Sequence, residues 1–480
     1  MFATRESRVL ALVVLAATGI ALVSARPFAG AWNDGSRLAT VESLVDHGTL
    51  AIDDSIFVHG PAEGAPYRGV ALDHGTLDKL LIDGHFYSDK SPVPALLLAF
   101  VYQILQSLFG LDVRQHPALF CYLMTIASSG VAYIVGVACV FRLGRPLGLA
   151  LATRVLLTVS FALATVAVVY VRHVNNHIFF LGVAAALMLQ LAHLAGEAQA
   201  GSVPWRRWLF VGTLVGLGYT IDLGAGPGLV VCCGLLVAWR GRSVASLALF
   251  ALAALPWLAL HHAVNFAVGG TISPANSVPQ YFQWEGCPFH GNAMTGAWHH
   301  AGPGQFLLYA LALLFGKQGF LVHNLPLLLA SAAPLLLLRR RPREWPELLC
   351  AVVWCGGTWL VYAATSRNYS GMNCSIRWFV PLLAPSYLGL AVLLRDCPRY
   401  RLDVWILSVW GFLLMIIAWW YGPWIGHMVP GLWPIVAVAL ASWAIVTWRR
   451  RKEKVESTEV DQASSKVEAS QDRQPPQAAA

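Results

Sequence analysis

Trp32-Asn33-Asp34-Gly35-Ser36-Arg37 opens, and Tyr87-Ser88-Asp89-Lys90-Ser91-Pro92 closes, a polar run from Trp32 to Pro94 set between two hydrophobic segments. It carries Asp34, Glu42, Asp46, Asp53, Asp54, Glu63, Asp73, Asp78, Asp83 and Asp89, ten of the 25 acidic residues in the chain. The rest is apolar: 57% of the 480 residues are hydrophobic and 12% are charged, where soluble domains carry about 25% charged residues. That balance describes a polytopic membrane protein, with its chemistry concentrated in the polar run.

Apolar segments long enough to span a bilayer, at about 20 residues each, begin near Val9, Pro117, Gly148, His177, Trp208, Pro227, Val244, Phe320, Pro346, Ile376, Leu402 and Gly431. Clusters at Arg142/Arg145, Arg206/Arg207, Arg240/Arg242, Arg339 to Arg343, Arg395 to Arg401 and Arg449 to Lys452 fall between every second pair of spans. Such alternation marks a cytoplasmic face, so the net charge of +8 points to a membrane and not to nucleic acid. The expected chain is all-α, with about 12 transmembrane helices and both termini cytoplasmic. Counting Val93 to Leu108 as a span would invert every later helix, so it reads as a helix lying in the outer interface. Gln305 to Phe315 reads the same way. The organisation expected is a first helix over 1–25, retained and not cleaved as a signal peptide, an extracytoplasmic loop over 26–92, an interfacial helix and bundle over 93–448, and a disordered cytoplasmic tail over 449–480.

Asp34 stands just past the first helix, where a carboxylate can accept a proton from a hydroxyl or hold a metal; it can equally cap the helix that follows. Lys90 would meet lipid phosphates or snorkel at the membrane edge. Arg377, in Arg377-Trp378-Phe379-Val380-Pro381, opens a span on the outer side, against the usual charge bias, and its guanidinium suits bidentate phosphate binding. Asp222 sits at a tight turn and divides evenly between turn capping and function. Of the 15 histidines, His177 is the best placed for chemistry, in the outer turn Tyr170 to His177. The nine cysteines show no paired CxxC spacing; Cys287 and Cys374, both in outer loops, could pair or stay free thiols.

The acid past the first helix, the long outer loop and the Asp89-Lys90-Ser91-Pro92 motif before an interfacial helix resemble the GT-C glycosyltransferases. The similarity is to the polyprenyl-phosphate-sugar-dependent branch, which includes protein O-mannosyltransferases and lipid A aminoarabinose transferases. Phe315-Gly316-Lys317-Gln318-Gly319-Phe320 and the Arg377 motif look like late motifs of that family. The resemblance implies that Asp34 is catalytic or beside a metal, that Lys90 and Arg377 face the donor phosphate, and that Asp89, His177 and Asp222 line the site. Where the family often has an acid near the metal, this chain has His177, so a divalent metal, if one is used, would rest on Asp34 and His177. The implied partners are a polyprenyl-phosphate sugar, an acceptor of unknown class and membrane lipids. The competing reading is a transporter or lipid flippase, which would show internal repeats and charges near the membrane midplane; no repeat is visible, and the charges sit at the outer edge.

Overall fold

The structure is a computed structural model and describes residues 4–289 and 296–471. In chain order come α1 (Arg5–Ser24), α2 (Trp32–Glu42), strands β1 (Lys79–Ile82) and β2 (His85–Ser88), α3 (Pro92–Phe109), α4 (Pro117–Leu143), α5 (Leu151–Leu163), α6 (Asn176–Gln199) and α7 (Trp205–Ile221). They are followed by α8 (Gly226–Gly241), α9 (Val244–Gly269), α10 (Pro303–Phe315), α11 (Trp345–Thr365), α12 (Leu383–Asp396), α13 (Arg401–Tyr421) and α14 (Leu432–Gln471). Helices α6 and α12 form the buried centre of the bundle, α6 packing against α4, α7 and α12. Most of the remaining helices expose Leu, Val, Phe and Trp outward. A bundle apolar on both its inner and outer surfaces is built for lipid.

Among the described residues, ten helices are long and apolar enough to cross a membrane, and the chain is a multi-pass membrane protein. The ten include α3 and the Pro303–His323 run, both expected to be interfacial, and lack four of the expected dozen, each for a physical reason. Helices α5, α7 and α8 have 13, 17 and 16 residues. The segment from Phe320 is broken into Phe320–His323, Leu327–Ala330 and Ala333–Arg340, with Pro326 and Pro334 at the joints, because proline has no N–H to continue a helix.

The arginine clusters gather at one end of the bundle. Arg154 reaches Glu6 at 2.9 Å, Arg240 reaches Glu347 at 2.7 Å, Arg395 reaches Glu344 at 2.7 Å and Arg450 reaches Asp403 at 2.9 Å. These pairs tie the start of α1 to α5, of α11 to the ends of α8 and α12, and of α13 to α14, and α1 runs from there to the polar run at the opposite end.

That polar run is folded, with a core of its own in which Leu38, Val41, Ile52, Phe57, Tyr102 and Phe120 are buried. Strands β1 and β2 pair antiparallel, Lys79 opposite Ser88 and Ile82 opposite His85, around Asp83-Gly84. Both turn residues have positive φ, 50° and 85°, the conformation a two-residue hairpin needs and the reason Asp-Gly favours one. An all-α expectation therefore needs this hairpin added.

Helix α3 is fastened to the same unit along its whole length. Before its start, Lys90 binds Asp78 at 2.8 Å; in its middle, Tyr102 and Gln106 donate to Asp46 at 3.1 and 2.7 Å; beyond its end, Arg114 donates to the Asp54 carbonyl at 2.7 Å. The helix lies along the folded polar run, with Leu97, Phe100, Ile104 and Leu108 exposed on its other side.

Two further expectations change. The tail from Arg449, expected to be disordered, continues α14 as helix to Gln471, since its Glu, Lys and Ala are good helix formers with no Gly or Pro before Pro475; residues 472–480 lie outside the described residues. Cys287 and Cys374 are both free and buried. Cys287 donates through its thiol to the Phe289 carbonyl and through its N–H to that of Trp284, whereas the Cys374 N–H donates to the Pro423 carbonyl.

Candidate active site

At the end of the bundle that carries the polar run, a cavity of about 480 Å³ opens between α2, the Asp89-Lys90-Ser91 turn, the first turn of α6, the Ile221 to Gly224 turn, the end of α11 and Arg377-Trp378. It brings together five of the six expected residues: Lys90, Arg377, Asp89, His177 and Asp222 all line it. Asp34 does not.

Three cations face this space. Arg37, buried in α2, donates through Nη1 to the Asn33 carbonyl at 2.7 Å and also to the Asn33 side chain, while its Nε has no partner. Burial pulls its pKa down to about 10, against the attraction of Asp89. Lys90 Nζ lies 2.8 Å from Asp78 and 2.7 Å from Asp89. Arg377 has a buried, unpartnered Nε and stands over the Trp424 ring, 5.8 Å from its centroid. Guanidinium nitrogens left unpaired in a buried setting cost free energy unless an anion completes them.

The acids divide by environment. Burial raises the Asp89 carboxyl above its usual range and Asp78 adds to this, with Lys90 and Arg37 opposing; its Oδ1 is buried without a partner. Asp222 is also buried, which would raise it, but the His177 ring and hydrogen bonds from Tyr362 and the Gly224 N–H outweigh burial and hold it below its ordinary value. Tyr362 Oη and Gly224 N each donate to Asp222 Oδ1 at 2.8 Å, and His177 Nδ1 is 3.1 Å from Oδ2, out of line for a hydrogen bond. Gly224 permits this approach: a Cβ there would stand 2.1 Å from Tyr362 Oη. Tyr362 in turn stacks on Trp378 with centroids 4.3 Å apart and planes 6° from parallel, a flat aromatic wall beside Arg377.

Asp34 occupies the third position of α2 and turns back to its start, accepting from the N–H groups of Gly30 at 2.6 Å and Ala31 at 2.8 Å. Its remaining neighbour is His173 at 3.4 Å. It is the capping reading of this residue that the geometry supports. For a metal on Asp34 and His177, the two residues have separate partners, Asp34 pairing with His173 and backbone and His177 with Asp222, and among the described residues no three His, Cys, Asp or Glu side chains come together to hold an ion.

No family model matches the chain, and no curated protein matches its sequence. Among solved structures the chain is similar to ArnT from Cupriavidus metallidurans bound to undecaprenyl phosphate, with 14% identity, 90% of this chain and 75% of that one covered, and a TM-score of 0.48. It is also similar to the Archaeoglobus fulgidus oligosaccharyltransferase in its apo form, with 13% identity, 91% and 56% covered, and a TM-score of 0.46. What the cavity can do rests on its own residues.

Three of those were not singled out from sequence. Arg37 follows Asn33 by one helical turn, so the two share a face, and that spacing was the available signal. Asp78 and Tyr362 reach the site only through tertiary packing and carry no local mark.

Proposed function

We propose that the protein is a membrane glycosyltransferase of the GT-C type that transfers a sugar from a polyprenyl-phosphate donor to an acceptor on the extracytoplasmic side. The observation that supports this most is the convergence of Arg37, Lys90 and Arg377 on one cavity, beside an acid, Asp89, whose Oδ1 is free. The reaction breaks the bond between the anomeric carbon and a phosphate oxygen, so negative charge grows on the phosphate as polyprenyl phosphate leaves. Fixed cations with few waters around them lower the energy of that charge. The acceptor oxygen bonds to the anomeric carbon and gives its proton to Asp89, made more basic by burial; general-base help of this kind is worth about 10²- to 10⁴-fold. The Tyr362-Trp378 stack offers a flat apolar face for a sugar ring, and Asp222, fixed by Tyr362, Gly224 and His177, offers an acceptor to sugar hydroxyls. Asp34 serves by setting the start of α2, and so the position of Arg37. The arginine alternation supports an extracytoplasmic position for this end. A transport path would need charges along its length, whereas the ion pairs here lie in terminal turns and loops.

The test is release of polyprenyl phosphate, dependent on acceptor, when purified protein meets a panel of polyprenyl-phosphate-linked sugars. Asp89→Asn should lower turnover by about 10²-fold or more, and Arg37→Gln by about 10²- to 10³-fold, with the lipid still bound through its apolar tail. No release from any donor, or full turnover in both variants, would end this reading.

A further inference from the structure

A second site stands apart from the cavity. Between α1, α5 and α13 lies an apolar groove of about 430 Å³, walled by residues that include Gly19, Ser24, Met415 and Trp419. Trp419 closes its end toward the polar run, its indole N–H donating to Ser24 Oγ at 2.9 Å. Two guanidiniums stand at this indole: Arg172 Cζ is 5.5 Å and Arg26 Cζ 5.8 Å from the ring centroid. The Arg26 N–H donates to the Arg172 carbonyl at 2.9 Å, so the two are held together by backbone. Arg172 is 7% exposed and donates to the Trp419 carbonyl, yet its Nε, like that of Arg26, is buried without a partner. Neither has a carboxylate within 4.0 Å among the described residues. Burial, and then repulsion from Arg26, pulls the Arg172 pKa down to about 10. Two like charges stand at one indole ring at the mouth of a hydrocarbon-lined groove, with no carboxylate paired to either among the described residues.

We infer that the groove and its arginines bind an anionic phospholipid, with one acyl chain along α1, α5 and α13 and the phosphate between Arg26 and Arg172. Each part of such a lipid meets its chemical complement. The chain meets apolar wall, the phosphate meets two guanidiniums whose fork matches phosphate oxygens, and Trp419 takes the interfacial position that indole favours. Neither arginine lines the cavity, so this lipid is separate from any donor bound there.

Native mass spectrometry of the full chain in detergent, with dioleoylphosphatidylglycerol and dioleoylphosphatidylcholine at equal concentration, tests this. The anionic lipid should be retained about tenfold more strongly, and Arg26→Gln together with Arg172→Gln should abolish the preference. Because Arg172 also holds a backbone carbonyl, Gly19→Leu gives a second arm: a Cβ at Gly19 meets nothing within 4 Å, so the new side chain fills groove without pressing on the fold. It should reduce retention of both lipids without lowering the thermal midpoint, since leucine is the better helix former. Equal retention of the two lipids by the native chain, or undiminished retention in Gly19→Leu, overturns the site. So does inorganic phosphate competing as well as the phospholipid, since the groove would then contribute nothing.

Discussion

Asp34 shows how a residue can look catalytic in sequence and be structural in the fold. Both of its oxygens close the start of α2, and Gly30, one of its donors, has no room for a side chain, since a Cβ would lie 2.5 Å from the His173 ring. Asp34→Asn should therefore destabilise the protein by about 1 kcal/mol, the usual worth of a cap, seen as a lower thermal midpoint. Turnover per folded molecule should fall far less than in Asp89→Asn; the reverse order would return Asp34 to the chemistry. Glu42 gives a pH prediction. It is fully buried, and burial lifts its pKa to about 7, against hydrogen bonds from Ser55 and the Ile56 N–H. The folded chain thus keeps a proton that the unfolded chain releases at its ordinary value near 4.5. Its contribution to stability is full below that ordinary value and is lost as pH rises through about 7. Thermal midpoints should fall across this window, and Glu42→Gln should flatten the fall.

At the scale of elements, what was legible depended on whether the signal was local or long-range. The expectation that α3 is interfacial comes from arginine alternation alone, because a whole-chain charge pattern constrains every helix at once; by length and composition α3 is apolar enough to cross, and labelling decides between the two. Asp83-Gly84, flanked by Leu81-Ile82 and Phe86-Tyr87, carries a hairpin signal as local as any in the chain, yet it is easily passed over inside a run read as loop. Lys90, Asp89 and Arg377 could be placed on one membrane face from sequence. That Arg37 joins them could not, since its side chain is aimed by the packing of α2 on the segment from Thr76 to Ser88, where Ser36 donates to the Asp78 carbonyl and Thr76 to the Trp32 carbonyl. The fastening of α3 makes a labelling prediction. Asp73→Cys and Arg114→Cys, on either side of α3 in sequence, should react with an impermeant maleimide from the same side, and Arg206→Cys from the other. Labelling of the first two from opposite sides would mean that α3 crosses.

For the whole molecule, the two ends of the bundle are built differently. One is locked by ion pairs that tie the starts of helices to their neighbours; the other holds a small folded unit over a cavity, with an outward apolar helix fixed to its flank. The attachment of α3 at its beginning, middle and end has a mechanical consequence. Lying in the interface, as its charge pattern predicts, the helix would be a float: its outward Leu97, Phe100, Ile104 and Leu108 would seek a set depth in the bilayer, and Lys90 stands two residues before its first turn. A thinner or thicker membrane would press on the float and tilt the lysine relative to Arg377, which belongs to the buried centre of the bundle. Turnover measured in bilayers of graded acyl length should pass through a maximum, and loosening the float by Gln106→Ala together with Tyr102→Phe, which removes both of its donors to Asp46, should broaden that maximum. In this arrangement bilayer thickness would itself be an input to the proposed transfer, read by one helix and delivered to a single ammonium group.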